Sequence, residues 1–273
     1  VHLFDTRRAT SYNRYTPQGW TPGIFASENP AMGSRIRYWL TSEMDDVSLQ
    51  ILDPRGNLVR EVEASGEAGL NEVIWDLRLQ TEGADGELLD PGPRVMPGTY
   101  LVRLEAGDVV VEGEASVRLD PRSSMSRDVI ASRHAAMMSS YRLSGPVQKA
   151  GQAMRSVGEQ LDALDAMLEA AENSSDALAE QIQSVRDALD EIGNELDDVS
   201  GGANVWGRIQ GVSGPATADA AWMIDAGWDR VPAVIAQMNS LMSGDVAALY
   251  RTAYQDATRP ALPGTIVMPS RGR

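Results

Sequence analysis

The spacing of apolar residues in this chain changes once, from two to between three and four, within a few residues of Pro121. Side chains alternate across a strand with period two and return to one face of a helix with a period of about 3.6. That single switch therefore divides the chain into a β part and a helical part. From Ala31 to Asp120, Ile36, Tyr38 and Leu40 alternate with Arg35, Arg37 and Trp39, and Val47, Leu49 and Ile51 alternate with Ser48 and Gln50. Asp53-Pro54-Arg55-Gly56-Asn57 has turn chemistry, and with Leu58 to Ala64 it predicts a hairpin. Val73, Trp75 and Leu77 share a further face, with Trp75 the expected centre of the core. Tyr100, Val102 and Leu104 share another, before Glu105–Asp108 turns the chain into Val109 to Leu119. Six or seven short strands of this kind bury one face each most simply as an antiparallel sandwich.

The helical part opens at Ser126, a suitable cap, with Ile130, His134, Met137 and Tyr141 as its stripe. Leu143-Ser144-Gly145-Pro146 is expected to break or kink this helix. Two long seams follow: Val147, Ala150, Met154, Val157, Leu161, Leu164, Leu168 and Ala171, then Leu178, Ile182, Val185, Leu189, Ile192, Leu196 and Val199. Their 4-3 spacing, with the short Asn173-Ser174-Ser175 turn between them, predicts an antiparallel helical hairpin with coiled-coil-like packing. Ser200-Gly201-Gly202 should end it. A new helix is expected near Thr217, burying Met223, Ile224, Gly227, Val231, Ile235, Met238 and Leu241, with Pro232 bending it or falling in its first turns. A short helix from Ser243 through Tyr254 should close the bundle. The expected organisation is α+β with two domains: an aromatic-rich arm (1–30), a β-sandwich (31–121), a helical bundle (122–256) and a tail (257–273) that is poorly ordered unless held.

Composition excludes several functions. The formal charge is −15 and Lys149 is the one lysine, so nucleic acid and anionic lipid are disfavoured partners. No window approaches the roughly 18–20 apolar residues that a membrane span needs. Without cysteine there is no disulfide framework, thiolate metal site or thiol nucleophile. Between Glu159 and Asp198 stand 13 carboxylates and a single base, Arg186. This reads as a solvated helix face, or else as a docking surface for a basic partner.

No motif for chemistry emerges. There is no G-x-S-x-G elbow, P-loop, dinucleotide glycine pattern or H-E-x-x-H. His134 sits on an apolar helical stripe and reads as a packed imidazole, and no two carboxylates stand out as a glycosidase pair. The expectation is no catalytic residue, no cofactor, no metal and no enzyme activity. Glu82, Asp85, Glu87 and Asp90, in the 79–96 loop, invite a calcium reading, but their spacing is not that of an EF-hand, and a solvated loop is expected. Five of the aromatics, Phe4, Tyr12, Tyr15, Trp20 and Phe25, crowd into residues 1–30. They pack on the chain's own sandwich or form a docking strip, so Tyr12, Tyr15, Trp20 and Phe25 are the candidate interaction surface.

Several motifs taken in order carry a resemblance. ENPAMGSRIRYWL (Glu28 to Leu40), VSLQILDPRGNLVREV, GLNEVIWDLR, PGTYLVRLEAGD and VRLDPR precede an acidic helical hairpin and SGPATADAAWMIDAGWDRV. This succession resembles the C-terminal region of bacterial sortilin-type β-propeller proteins, also labelled glycosyl-hydrolase-like or Asp-box proteins. The ILDPRGNLVRE hairpin with PGTY is also similar to the immunoglobulin-like module of flagellar hook-capping proteins. The resemblance implies that this is a segment of a longer exported protein, periplasmic, cell-surface or secreted, with its propeller before Val1. No S-x-D-x-G-x-T-W-type repeat occurs in the chain, so any hydrolase-related activity is expected outside it. The implied role is a non-catalytic accessory region with an immunoglobulin-like sandwich, contacting the propeller of its own protein or another protein. The alternative is a glycan- or peptide-binding module using Trp39, Trp206 or Trp228.

Overall fold

A computed structural model describes residues 1–13, 31–80, 92–170, 176–254 and 262–271. They form two sheets and three long helices, a mixed α+β content, in two compact units, the first ending at Ala131 and the second beginning at Ser132.

The strands of the first unit are β1 (His2–Leu3), β2 (Ala9–Ser11), β3 (Ser34–Leu40), β4 (Val47–Leu52), β5 (Leu58–Val62), β6 (Gly69–Trp75), β7 (Gly98–Ala106) and β8 (Val109–Leu119). One sheet has the order β1-β3-β6 and the other β2-β8-β7-β4-β5. The alternation read from the sequence is realised in β3, where Ile36, Tyr38 and Leu40 are buried while Arg35, Arg37 and Trp39 are exposed. Those three buried residues and Trp75 join Leu49, Ile51, Val102 and Leu104 of the larger sheet in one hydrophobic core. Trp75 is fully buried there, packed edge-on to Tyr100 at 5.1 Å between ring centroids, and its indole N–H donates to the Arg78 carbonyl at 3.0 Å. The polar end of the largest core residue is thereby satisfied without water.

Three features of this unit differ from the sequence reading. β1 and β2 fall within the segment read as an arm; two- and three-residue strands are too short to show a period. β2 pairs with β8 in parallel, so the pairing is not antiparallel throughout. Finally, β6 ends at Trp75 and Leu77 takes a left-handed φ of 64°, although it stays buried. That conformation is costly for a leucine. The neighbouring bonds over-determine it: the Arg78 N–H donates to the Asp76 side chain, and the Val95 N–H donates to the Leu77 carbonyl. Gly33, just before β3, has φ of 150°, and a Cβ there would lie 2.3 Å from the Trp75 carbonyl oxygen. Glycine is what allows the chain to enter β3 so close to the end of β6.

The helical elements are α1 (Arg127–Ala170), α2 (Asp176–Asn204), α3 (Trp206–Gly211), α4 (Ala218–Leu241), a π-helical turn (Met242–Val246) and α5 (Ala247–Ala253). Ser126 caps α1, its hydroxyl accepting from the Val129 N–H, and Thr217 caps α4 by accepting from the Ala220 N–H. Both seams are buried: Val147, Ala150, Val157, Leu161 and Leu164 of α1 share a core with Ile182, Val185, Leu189, Ile192, Leu196 and Val199 of α2. Arg186 reaches both Asp162 and Asp165, Gly193 faces Met154, and Ser140 bonds to Gly202. Residue numbers thus rise along one helix as they fall along the other.

The expected helix breaks are where the structure departs most. α1 runs through Pro146 without interruption, although the proline has no N–H to offer the Arg142 carbonyl. Leu143, Val147 and Ala150 are buried on both sides of it, and that burial holds the helix together. Ser200-Gly201-Gly202 does not end α2. A Cβ on Gly202 would lie 2.3 Å from the Met223 carbonyl oxygen and 3.2 Å from Gly227 Cα, so these glycines serve a close approach to α4. Of the two places expected for Pro232, the first turns of α4 are excluded, since it lies well inside that helix, and Ser243-Gly244-Asp245 produces a π-turn within a continuing helix rather than a new start. The tail is also held over its described residues. Ile266 is buried in the helical core, and its backbone N–H and carbonyl both bond the Asn239 side chain, at 2.9 and 3.0 Å.

Candidate functional site

The outward face of the three-stranded sheet combines large exposed apolar side chains with paired guanidinium groups. Because directly opposed residues of an antiparallel pair point to the same side, the register builds this face row by row. Trp39 lies opposite His2 on one side and Leu70 on the other; next along β3, Arg37 lies opposite Glu72, and then Arg35 opposite Ile74. Phe4 continues β1, its N–H donating to the Arg37 carbonyl at 3.0 Å, and its ring meets His2 edge-on at 4.6 Å. Trp39 is 45% exposed, Leu70 62% and Phe4 39%. The inward side of the same strands is closed core, so the exposure of these three is confined to one face.

Glu72 orders the charged half of the face. Its carboxylate accepts from Arg37 Nε and from an Arg35 terminal nitrogen, both at 2.7 Å. The Arg37 hydrogen bond, then the charges of Arg37 and Arg35, holds this carboxyl below its ordinary range. One carboxylate fixes two guanidinium groups and leaves donors of both available to a ligand.

At the Arg35 end the face runs into a groove of about 330 Å³, lined by Asp5, Arg7, Arg8, Gly33, Arg35 and Arg37 among others. Among the described residues no group of three or more His, Asp or Glu side chains is placed to hold a metal ion.

The sequence-selected residues fall elsewhere. Tyr12 is half-buried beside the end of β2; Tyr15, Trp20 and Phe25 lie outside the described residues, as do Glu82, Asp85, Glu87 and Asp90. Of the three tryptophans considered for glycan, Trp39 is exposed. Trp206 is half-buried against Tyr141, and Trp228 is only 8% exposed, its indole N–H donating to Ser139 at 2.9 Å. The exposed tryptophan of the helical unit is instead Trp222, at 68%. His134 is half-buried; burial first, then the charges of Arg133 and Arg142, pushes its pKa below the usual imidazole value. No helix among the described residues is long and apolar enough to cross a membrane.

Sequence reasoning identified Arg35, Arg37 and Trp39 as one face of a strand and Trp39 as a candidate glycan contact, but did not join the three into a site. The available signal was a tryptophan at the polar phase of an alternating strand. Leu70 and Glu72 gave no such signal, because only the register of β6 on β3 brings them alongside. Comparison with protein-family models, with curated proteins and with solved structures finds no match to this chain.

Proposed function

We propose that this chain is a non-catalytic interaction region of a larger exported protein, docking onto a β-propeller of that protein. In this reading the two sheets form an immunoglobulin-like sandwich and the helices an antiparallel bundle with a long hairpin, as the motif succession from Glu28 to Arg122 implies. The supporting observation is the cross-strand pair Trp39 and Leu70, both exposed on the outward face of β3 and β6. Tryptophan and arginine are the residue types that dominate binding energy in protein interfaces, and here they stand side by side on a rigid sheet. Phe4 widens the apolar patch, and Arg35 and Arg37 supply a fixed polar rim.

The test is calorimetric titration of the chain with the propeller region of its own protein. Trp39→Ala combined with Leu70→Ser should weaken binding by a factor of about 30 or more, the equivalent of a hot-spot loss of about 2 kcal/mol. Near-ultraviolet circular dichroism checks that the Trp75 core is intact. Wild-type chain that does not bind, or a double variant that binds as well, refutes the proposal. A glycan array probed with wild type and Trp39→Ala addresses the carbohydrate reading, in which retention of a saccharide depends on that one ring. Export is tested by cell fractionation.

A further inference from the structure

We propose that the arginine groove at the end of the three-stranded sheet binds a doubly charged oxyanion, a phosphate or sulfate group. Four arginines, Arg7, Arg8, Arg35 and Arg37, are among its lining residues. Two carboxylates compensate them: Asp5 in the lining, and Glu72 behind Arg35 and Arg37. The local excess is two positive charges, on a chain whose net charge is −15.

Arg7 and Arg8 hold that excess. Neither makes an ion pair or side-chain hydrogen bond with another described residue. Consecutive arginines beside two more repel one another, and an anion between them relieves that repulsion. Guanidinium forks match the oxygens of a tetrahedral oxyanion in pairs, which a monovalent halide does not offer.

The groove is built by tied-down backbone. Phe4 is bonded to Arg37, the Thr6 hydroxyl donates to the Glu114 carbonyl, and Ala9–Ser11 pairs with Val117–Leu119 of β8. The segment bearing Arg7 and Arg8 is therefore fixed at both ends, from one sheet to the other. Opposite it, Arg35 and Arg37 are fixed by Glu72 on a seven-residue strand. A ligand finds the Arg35 and Arg37 donors already placed and the backbone bearing Arg7 and Arg8 already held, so only those two side chains are left to order. The groove shares Arg35 and Arg37 with the docking face, but Arg7 and Arg8 line only the groove and Trp39 and Leu70 do not line it, so separate variants test the two readings.

The experiment follows amide chemical shifts of the whole chain during titration with sodium phosphate, sodium sulfate and sodium chloride at matched ionic strength. Phosphate and sulfate should produce saturable shifts at residues 5–9 and 33–37, and chloride should not. Arg7→Gln with Arg8→Gln should weaken the oxyanion at least tenfold, while Trp39→Ala leaves it unchanged. Arg7→Lys with Arg8→Lys keeps the charge and removes the forks, and should recover only part of the affinity. A sulfated disaccharide and its unsulfated counterpart then separate an ester ligand from the free ion: tighter binding of the sulfated sugar than of sulfate identifies the ester, and equal binding identifies the ion. Shifts with phosphate no larger than with chloride overturn the proposal. So does a double glutamine variant that binds phosphate as wild type does.

Discussion

Replacing Gly202 by alanine sets two effects of opposite sign against each other at one position. Alanine favours a helix over glycine by about 1 kcal/mol, so from α2 alone the change should stabilise. The new Cβ, however, would lie 2.3 Å from the Met223 carbonyl oxygen and 3.2 Å from Gly227 Cα. Non-bonded heavy atoms prefer roughly 3.5 Å, so α4 has to retreat by about 1 Å. Both close atoms belong to backbone and cannot swing aside. Overpacking of this kind costs about 1–3 kcal/mol. The shift also strains the buried hydrogen bond from the Ser140 hydroxyl to the Gly202 carbonyl, now 2.7 Å long, which contributes about 1 kcal/mol. The net expectation is a loss of about 1–3 kcal/mol. Gly158→Ala is the matched control: that position is also inside a helix, and no atom lies within 4 Å of its added Cβ. It should gain about 0.5–1 kcal/mol. Gly193→Ala meets only the flexible end of Met154 and should fall between the two. Urea unfolding monitored by far-ultraviolet circular dichroism reads all three. A Gly202→Ala midpoint at or above wild type, or the same sign of change for Gly158→Ala and Gly202→Ala, refutes the packing argument.

Asn239→Ala should release the C-terminal segment, since that side chain bonds both the N–H and the carbonyl of Ile266. Hydrogen exchange should accelerate across 262–271, and stability should fall by about 1–3 kcal/mol as the buried backbone groups lose their partner. His134 makes the fold sensitive to acid. Its folded-state pKa lies below its ordinary value, chiefly through burial, so the unfolded chain takes up the proton first as pH falls. The stability it contributes is full above about 6.5 and declines as pH drops through that value toward the lower folded-state value. Urea midpoints at pH of about 7.5 and about 5.5 should therefore differ less in His134→Gln than in wild type.

The β-to-helix switch, the inward phase of β3 and β7 and the two helical seams were all legible in the sequence. Each follows from a periodicity a few residues long that holds whatever the partner element is. Trp75 as a buried core residue, Ser126 as a cap and a helix start near Thr217 were legible too, the first from its phase in an alternating strand and the other two from residues close by in sequence. The candidate site was not. Its rows join His2, Trp39 and Leu70, or Phe4, Arg37 and Glu72, and no local pattern relates residues so far apart along the chain. Proline and glycine misled for a related reason. Pro146 and Gly202 carry local propensities against a helix, and tertiary burial outweighed both, around Leu143 and Val147 in one case and against Met223 and Gly227 in the other. The same competition buried Trp228 and left Trp222 exposed on one helix, and drew Ile266 into the core of the second unit. Sequence by itself determined what kind of element each stretch forms, since that depends on neighbours along the chain. Only the tertiary structure decided which residues meet across elements, since burial and charge pairing act through space over distances that chain order does not encode.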